Sequence, residues 1–162
     1  MSIAISTTWT AYGTWLPGDP RLWNERGRGV RLPDRLREFQ AALRMTESAV
    51  LLDQVQRELV DKTIVDHCKI RKWLLHAVTC RSNHVHVSVT APVLEIEIPR
   101  KQFKAWCTRK LNELELSRNR AAREDWWTQR GWDEHVDDER ELSDVNAYIL
   151  EGQDGARFDG GR

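Results

Sequence analysis

The chain has 162 residues, of which 25 are basic and 25 acidic, so its net charge neither requires nor forbids a polyanionic partner. No apolar run approaches the roughly 18 residues that a membrane-spanning helix needs. Three cysteines at long, irregular spacings argue against a disulfide framework and against a zinc ribbon. These features predict one soluble, intracellular domain with no membrane partner and with Cys68, Cys80 and Cys107 as reduced core residues.

The first half of the chain predicts one strand, one loop and one helix. The strand lies in "STTWTAYGTW" and is ended by the turn-forming "LPGDP". Residues 17–33 are rich in glycine, proline and arginine and predict an irregular loop with Trp15 and Trp23 as anchors. Apolar residues at helical spacing then predict an amphipathic helix over about 48–69.

The second half predicts two helices and three short strands. "KWLLHAVTC" and "HVHVSVTAP" are typical of strands, and the short "RSN" between them favours a hairpin. A helix follows with Pro99 in its first position, and "WWTQRGW" predicts a short strand or hairpin. "DDERELSDVNAYILEG" predicts a final helix with Asp137 as N-cap and Gly152 at its end.

The order of these elements is strand, helix, strand, strand, helix, strand, helix. It favours an α+β fold of the split β-α-β kind, an antiparallel sheet with helices packed on one face. We expect this domain over residues 1–154, and a disordered, glycine-rich tail over residues 155–162.

Two histidines one residue apart interrupt the valine-rich strand "CRSNHVHVSVTAP". Alternation of Val85, Val87 and Val89 places His84 and His86 together on the opposite face of that strand. Two imidazoles on one face can share a divalent ion if a third ligand arrives from another element. Two buried rings in an ordinary strand remain the alternative, because a lone His-x-His is a weak signal.

Three separated motifs carry a family resemblance: "TTWTAYGTWLPGD", "CRSNHVHVSV" and "AYILEGQ". Together, and in this order over about residues 5–154, they resemble the single-tyrosine HUH transposases of bacterial insertion sequences and their REP-associated relatives. The resemblance implies a ferredoxin-like α+β domain in the bacterial cytoplasm that cuts and rejoins single-stranded DNA beside hairpins.

The same resemblance implies residue roles. His84 and His86 are expected to bind Mg²⁺ or Mn²⁺, and Tyr148 is expected to attack the scissile phosphate, giving a 5′-phosphotyrosyl intermediate and a free 3′-OH. Gln153 is the expected third metal ligand, with Glu151 as the alternative. A phenol has an ordinary pKa near 10, so a tyrosine nucleophile needs such a metal or a base beside it.

Only Tyr12 and Tyr148 are available as tyrosine nucleophiles. Helical geometry places Tyr148 at the side of the apolar stripe of its helix. Tyr12 lies in a strand among tryptophans, which favours packing or base stacking instead.

Basic residues are concentrated between positions 100 and 123, a segment with eight basic residues and only two acidic ones. This strip is either a solvated helical surface or a contact for DNA phosphates. For DNA contacts we expect Lys104, Arg109 and Arg100 from the strip, and Trp23 from the 17–33 loop.

Other functions stay open from the sequence. A two-histidine phosphoesterase needs a second His-x-Ser/Thr element, which the chain lacks. A catalytically inactive or domesticated hairpin-DNA-binding module is the principal alternative. The sequence also leaves open a homodimer that exchanges its tyrosine helices.

Overall fold

The computed structural model describes residues 1–151, which form strands β1 to β6 and helices α1 to α4. In chain order these are β1 (Ala4–Thr10), β2 (Trp23–Glu25), β3 (Gly29–Arg31), α1 (Arg35–Leu43), α2 (Gln54–Arg71), β4 (Leu74–Cys80), β5 (His84–Thr90), α3 (Ile98–Ser117), β6 (Trp132–Val136) and α4 (Glu139–Glu151). Residues 152–154 of the predicted domain and the predicted tail lie outside the described residues.

The main sheet has four antiparallel strands in the order β4-β5-β1-β6. The predicted "RSN" hairpin joins β4 to β5, and β1 lies between β5 and β6. This arrangement confirms the α+β class, since the strand order and the intervening helices are those of a ferredoxin-like domain. In its register, Thr8 of β1 lies opposite His86 of β5.

Helices α2 and α3 pack on the valine face of β5. The alternation in this strand buries Val85, Val87 and Val89 completely. Trp9 of β1 stacks on Phe103 of α3, with ring centroids 6.3 Å apart. The same core cluster also includes Val60, Ile64, Cys68, Cys107 and Leu111 from the two helices.

The final helix, α4, lies on the opposite face of the sheet. Asn146 of α4 accepts a hydrogen bond from Ser88 Oγ, and Ser88 shares its face of β5 with His86. At the start of α4, Leu142 packs against Ala4 and Val136. The expected packing of helices on one face therefore holds for α2 and α3 only, because the apolar side of α4 covers part of the polar face instead.

Several predicted boundaries were wrong. Helix α2, predicted from about residue 48, begins at Gln54 after its N-cap Asp53. Pro99 is the second residue of α3 instead of the first.

In the segment "WWTQRGW", predicted as a short strand or hairpin, β6 begins only at Trp132. Before it, Trp126 and Trp127 are buried, and Trp127 makes a single antiparallel bridge to Ala11. The N-cap of α4 is Asp138, since its carboxylate accepts the Glu141 N–H, and Asp137 lies one residue earlier.

The 17–33 segment, predicted as irregular, contains the two-stranded sheet β2–β3, and α1 follows it. Trp23 is buried and donates from Nε1 to the Leu32 carbonyl, so it anchors this segment as predicted.

Two expectations from composition can be compared with the described residues. Cys68, Cys80 and Cys107 are buried and free, as predicted. None of the helices within residues 1–151 combines the length and apolarity needed to cross a bilayer.

Candidate functional site

The two histidines of β5 lie side by side on the polar face of the sheet. Their ring centroids are 5.0 Å apart and their planes are perpendicular. His86 is 6% exposed, whereas His84, the first residue of β5, is half-buried. The valines between and beside them fill the opposite core, so strand alternation alone brings the imidazoles together.

Neighbouring side chains orient both imidazoles through Nδ1. Thr8 Oγ1 lies 2.7 Å from His86 Nδ1, across the β1–β5 pair. Asn83 Oδ1 lies 2.7 Å from His84 Nδ1 and accepts a hydrogen bond from it in the tautomer that is protonated at Nδ1. Partners of this kind fix the tautomer and the ring direction of histidines that bind a metal through Nε2.

The environment of His86 keeps it neutral. Burial lowers its pKa to about 3, and the charges of His84 and Arg81 act in the same direction. A metal ligand must be an unprotonated imidazole, so His86 has the required form at neutral pH without paying for deprotonation.

Helix α4 places Tyr148 against this pair. The Tyr148 ring meets the His86 ring edge-on, with centroids 5.7 Å apart and an interplanar angle of 86°. Leu142 and Ile149 hold α4 to the sheet with their buried side chains, and Ser88 bonds to Asn146 within the same interface. Tyr148 itself is 42% exposed, so its phenol is accessible to a ligand while one edge of the ring contacts the histidine.

The histidine pair fits a divalent ion in ligand type and protonation but supplies only two ligands. Within residues 1–151, no group of three His, Cys, Asp or Glu residues could hold a metal. Glu151, exposed in the last turn of α4, therefore does not complete such a set with the pair. Gln153 lies outside the described residues, and its role stays a prediction.

Two of the predicted DNA contacts are engaged in the fold. Arg100 is 8% exposed and binds Asp133 through Nε and Nη2, at 2.8–3.0 Å. Lys104 Nζ donates to the Thr128 and Arg130 carbonyls, and burial lowers its pKa to about 8. These contacts favour structural roles for both side chains.

The other two predicted contacts differ in exposure. Trp23 is buried, with the Arg37 guanidinium 4.9 Å from its ring centroid, which also favours a structural role. Arg109 is exposed and lies over Trp106 beside Glu113. It belongs to α3, however, and α3 covers the face of the sheet opposite to His84 and His86.

Sequence reasoning missed three features. Thr8 was detectable in principle, because the alternation in "STTWT" places it on one face, but its pairing with His86 requires the sheet register. Asn146 could not be assigned because the sequence does not reveal that α4 crosses the histidine face.

The third missed feature is an arginine group around Glu25. The carboxylate of Glu25 lies within 3.1–4.0 Å of the guanidiniums of Arg28, Arg31 and Arg37. The Glu25 side chain is 18% exposed, whereas the three arginine side chains are 46–68% exposed. One carboxylate thus contacts three exposed cations, so these four side chains together carry two net positive charges. The sequence shows the arginines but not their convergence.

The chain was compared with protein families, curated proteins and solved structures. No protein-family model and no curated protein matches the chain. A solved structure of a REP-associated tyrosine transposase bound to a REP hairpin is similar, with a TM-score of 0.52 and 12% sequence identity. The likeness covers 92% of this chain and 66% of that one, so the present chain spans about two thirds of its length. At this identity, the likeness establishes the fold.

Proposed function

We propose that this protein is a single-tyrosine transposase that cleaves and rejoins single-stranded DNA beside hairpins in the bacterial cytoplasm. The observation that carries the proposal is the contact between Tyr148 and His86, whose rings meet at 5.7 Å although they belong to different elements. The fold it shares with a hairpin-bound tyrosine transposase supports the same function. Packing alone does not require a half-exposed tyrosine beside two oriented, adjacent histidines.

The proposed reaction is a transesterification. The Tyr148 hydroxyl oxygen attacks the scissile phosphorus, the new P–O(Tyr) bond forms, and the P–O3′ bond breaks. The phenolic proton is lost to solvent, and the leaving 3′-oxygen takes up a proton to become the free 3′-OH. Because one phosphodiester replaces another, a 3′-OH can later reverse the step and rejoin the strand without ATP.

The side chains around Tyr148 have separate roles in this proposal. His84 and His86 would hold Mg²⁺ or Mn²⁺, and such an ion would polarise the scissile phosphate and neutralise its charge. Thr8 and Asn83 orient the two imidazoles, and Asn146 fixes α4 against Ser88. Gln153 remains the proposed third ligand, and a homodimer remains a prediction. Within residues 1–151, the Tyr148 ring contacts His86 of the same chain.

The test is covalent capture of DNA. Purified protein is incubated with labelled single-stranded oligonucleotides that carry the hairpins flanking its gene, with Mn²⁺ or with EDTA. Denaturing gels then report whether a protein–DNA adduct forms. The chain has only two tyrosines, so Tyr148→Phe removes the proposed nucleophile and Tyr12→Phe is the matched control. Tyr12 is a sound control because its hydroxyl accepts the Thr46 N–H away from the histidines.

The expected result is an adduct with wild type and Tyr12→Phe in Mn²⁺, and none with Tyr148→Phe or with EDTA. Hairpin binding by wild type without any adduct would instead establish the inactive binding module. An adduct retained by Tyr148→Phe would contradict the assignment of the nucleophile.

A further inference from the structure

We infer that Trp132 is a stacking platform for a base of the single strand whose phosphate lies at the histidine pair. The inference rests on the proposed function and adds a contact for the bases, which the histidines and Tyr148 do not provide. It is carried by the position of Trp132 in the sheet, its exposure and the chemistry of its surroundings.

The register of the sheet places Trp132 on the face of the histidines. Thr8 lies opposite His86 on one side and opposite Trp132 on the other. Paired residues of adjacent strands share a face, so His86, Thr8 and Trp132 form one row across three strands. Two strand spacings separate the backbones of His86 and Trp132, about 9–10 Å. Neighbouring nucleotides of a strand bound at His86 can span this distance.

Trp132 is exposed, whereas four of the other seven tryptophans are buried. Trp9, Trp126 and Trp127 are 1–6% exposed in the core, whereas Trp132 is 39% exposed. Its Nε1 donates a hydrogen bond to Glu134 Oε1 at 2.8 Å, and this bond to a residue of the same strand orients the indole. Because the indole ring makes up most of this side chain, a residue exposed to this extent presents ring surface, which is the part that stacks on a base.

The surroundings of Trp132 also suit a DNA strand. Helix α4 crosses this face over β4 and β5 and, at the other end of β6, packs Leu142 on Val136. The side chain between Trp132 and His86 in this row is the hydroxyl of Thr8 instead of an apolar group. Hydroxyls are common donors to phosphate and sugar oxygens. A base on the indole and a sugar or phosphate oxygen at Thr8 would lead the strand to His86.

The chain offers a matched control for this indole. Trp106 is 42% exposed, close to the value for Trp132, but it belongs to α3 on the other face of the sheet. Removing Trp106 deletes a similar exposed ring without touching the histidine face. Trp132→Phe provides a second control, because it keeps an aromatic ring and removes the indole N–H.

The experiment compares two strands of equal length: fluorescein-labelled oligo(dT) and the same backbone with abasic residues. Affinities of wild type, Trp132→Ala, Trp132→Phe and Trp106→Ala are measured by fluorescence anisotropy, and circular dichroism verifies the fold of each variant. Stacking is tolerant of base identity, so oligo(dT) is a valid probe without knowledge of the target.

If Trp132 stacks on a base, Trp132→Ala weakens oligo(dT) binding roughly five- to hundredfold, the range of one base–aromatic contact. Trp132→Phe recovers most of this loss, and Trp106→Ala stays near wild type. On the abasic strand, Trp132→Ala and wild type bind alike, because the phosphates are unchanged. A merely structural role for Trp132 would weaken both strands equally.

Equal affinities of wild type and folded Trp132→Ala for oligo(dT) overturn the inference and leave the proposed function standing. Failure of wild type to bind either strand or the flanking hairpins overturns the proposed function, and the inference with it. If Trp132→Ala does not fold, the affinities of Trp132→Phe and Trp132→Leu for oligo(dT) are compared instead. Both variants keep a large apolar side chain in place of the indole, and only the first keeps a π-face.

Discussion

Thr8 and His86 are paired across adjacent antiparallel strands, and the Thr8 hydroxyl lies 2.7 Å from Nδ1 of the His86 ring. The register of β1 on β5 therefore determines the direction of this imidazole. A one-residue slip would turn Thr8 to the other face of the sheet and replace it with Thr7 or Trp9.

Thr8→Val tests this relationship. Valine keeps the shape of threonine but cannot bond to Nδ1, so the ring of His86 loses its fixed tautomer and direction. We expect DNA cleavage to fall about 10- to 100-fold, as for the loss of other partners of metal-binding histidines. The Mn²⁺ concentration for half-maximal adduct formation should rise. The free energy of unfolding should fall by about 1–3 kcal/mol, because a buried polar atom loses its partner.

Thr10→Val is the control for this prediction. Thr10 lies on the same face of the same strand, but its hydroxyl bonds to Thr128 and not to a histidine. Unchanged Mn²⁺ dependence in Thr8→Val, or an equal change in Thr10→Val, would show that the hydroxyl of Thr8 does not orient the metal site.

A second prediction concerns Arg100, whose ion pair with Asp133 lies between the sheet and α3. Their side chains are only 10% and 7% exposed, and Asp133 also accepts a hydrogen bond from Thr7. Arg100→Met leaves the Asp133 carboxylate buried without its cation. We expect this change to lower the free energy of unfolding by about 3–5 kcal/mol, measured by urea denaturation.

Arg109→Met is the matched comparison on the same helix. Arg109 and Glu113 are both more than half exposed, so the loss of their pair should cost less than about 1 kcal/mol. Similar costs for the two substitutions would contradict the structural role assigned to Arg100. If Arg100→Met keeps full stability but binds DNA more weakly, the phosphate contact predicted for Arg100 from the sequence is supported instead.

The fold was predictable from sequence where burial creates a regular pattern. The alternation in β5 predicted both the strand and the common face of the histidines, since its valines fill the core. Helix α1 buries none of its residues, and sequence periodicity gave no reason to place it. Strand β6 buries only Val136, so the tryptophans before it were the stronger but misleading signal.

The site was predictable only in part because its geometry depends on long-range packing. The positions of His84, His86 and Tyr148 came from a strand pattern and a family resemblance. The contact between Tyr148 and His86 depends on the path of α4 across the polar face, which no local pattern encodes. For the same reason, a count of basic residues favoured α3, although Arg100 and Lys104 are engaged within the fold.

The arginine group around Glu25 leads to a third prediction. Arg28 and Arg31 are exposed, and Glu25 compensates only one of the three cations it orders. If these guanidiniums contact DNA phosphates, Arg28→Ala with Arg31→Ala should weaken hairpin binding and lower the slope of log affinity against log salt by about two. The measurement is a salt titration of hairpin affinity.

Arg109→Ala on α3 provides the comparison for the arginine group. It removes one exposed cation from the opposite side of the sheet, away from the histidines. If Arg109→Ala loses more affinity or more salt slope than the double variant, α3 contacts the DNA. Arg28 and Arg31 would then have only a structural role in the β2–β3 segment.

A fourth prediction concerns pH and Asp61 of α2. Burial raises the pKa of Asp61 from 3.8 to about 6, although its carboxylate accepts the Cys80 N–H at 2.9 Å. Between about pH 4 and pH 6, the folded protein therefore binds more protons at this group than the unfolded chain does. The stability that Asp61 contributes through this extra proton binding is fully present below pH 4 and is lost as the pH rises through 6.

Asp61→Asn keeps an oxygen for the Cys80 N–H and removes the titration. We therefore expect the variant to be more stable than wild type at pH 7.5, by about 1–3 kcal/mol, with the difference shrinking toward pH 4.5. Urea denaturation at both pH values measures it. Asp66→Asn, an exposed position on the same helix paired with Lys62, controls for a general effect of removing a carboxylate from α2. The free energies of unfolding of Asp61→Asn and wild type could instead differ by the same amount at both pH values. Asp61 would then bind no extra proton in the folded state in this window, because only such a proton makes the difference depend on pH.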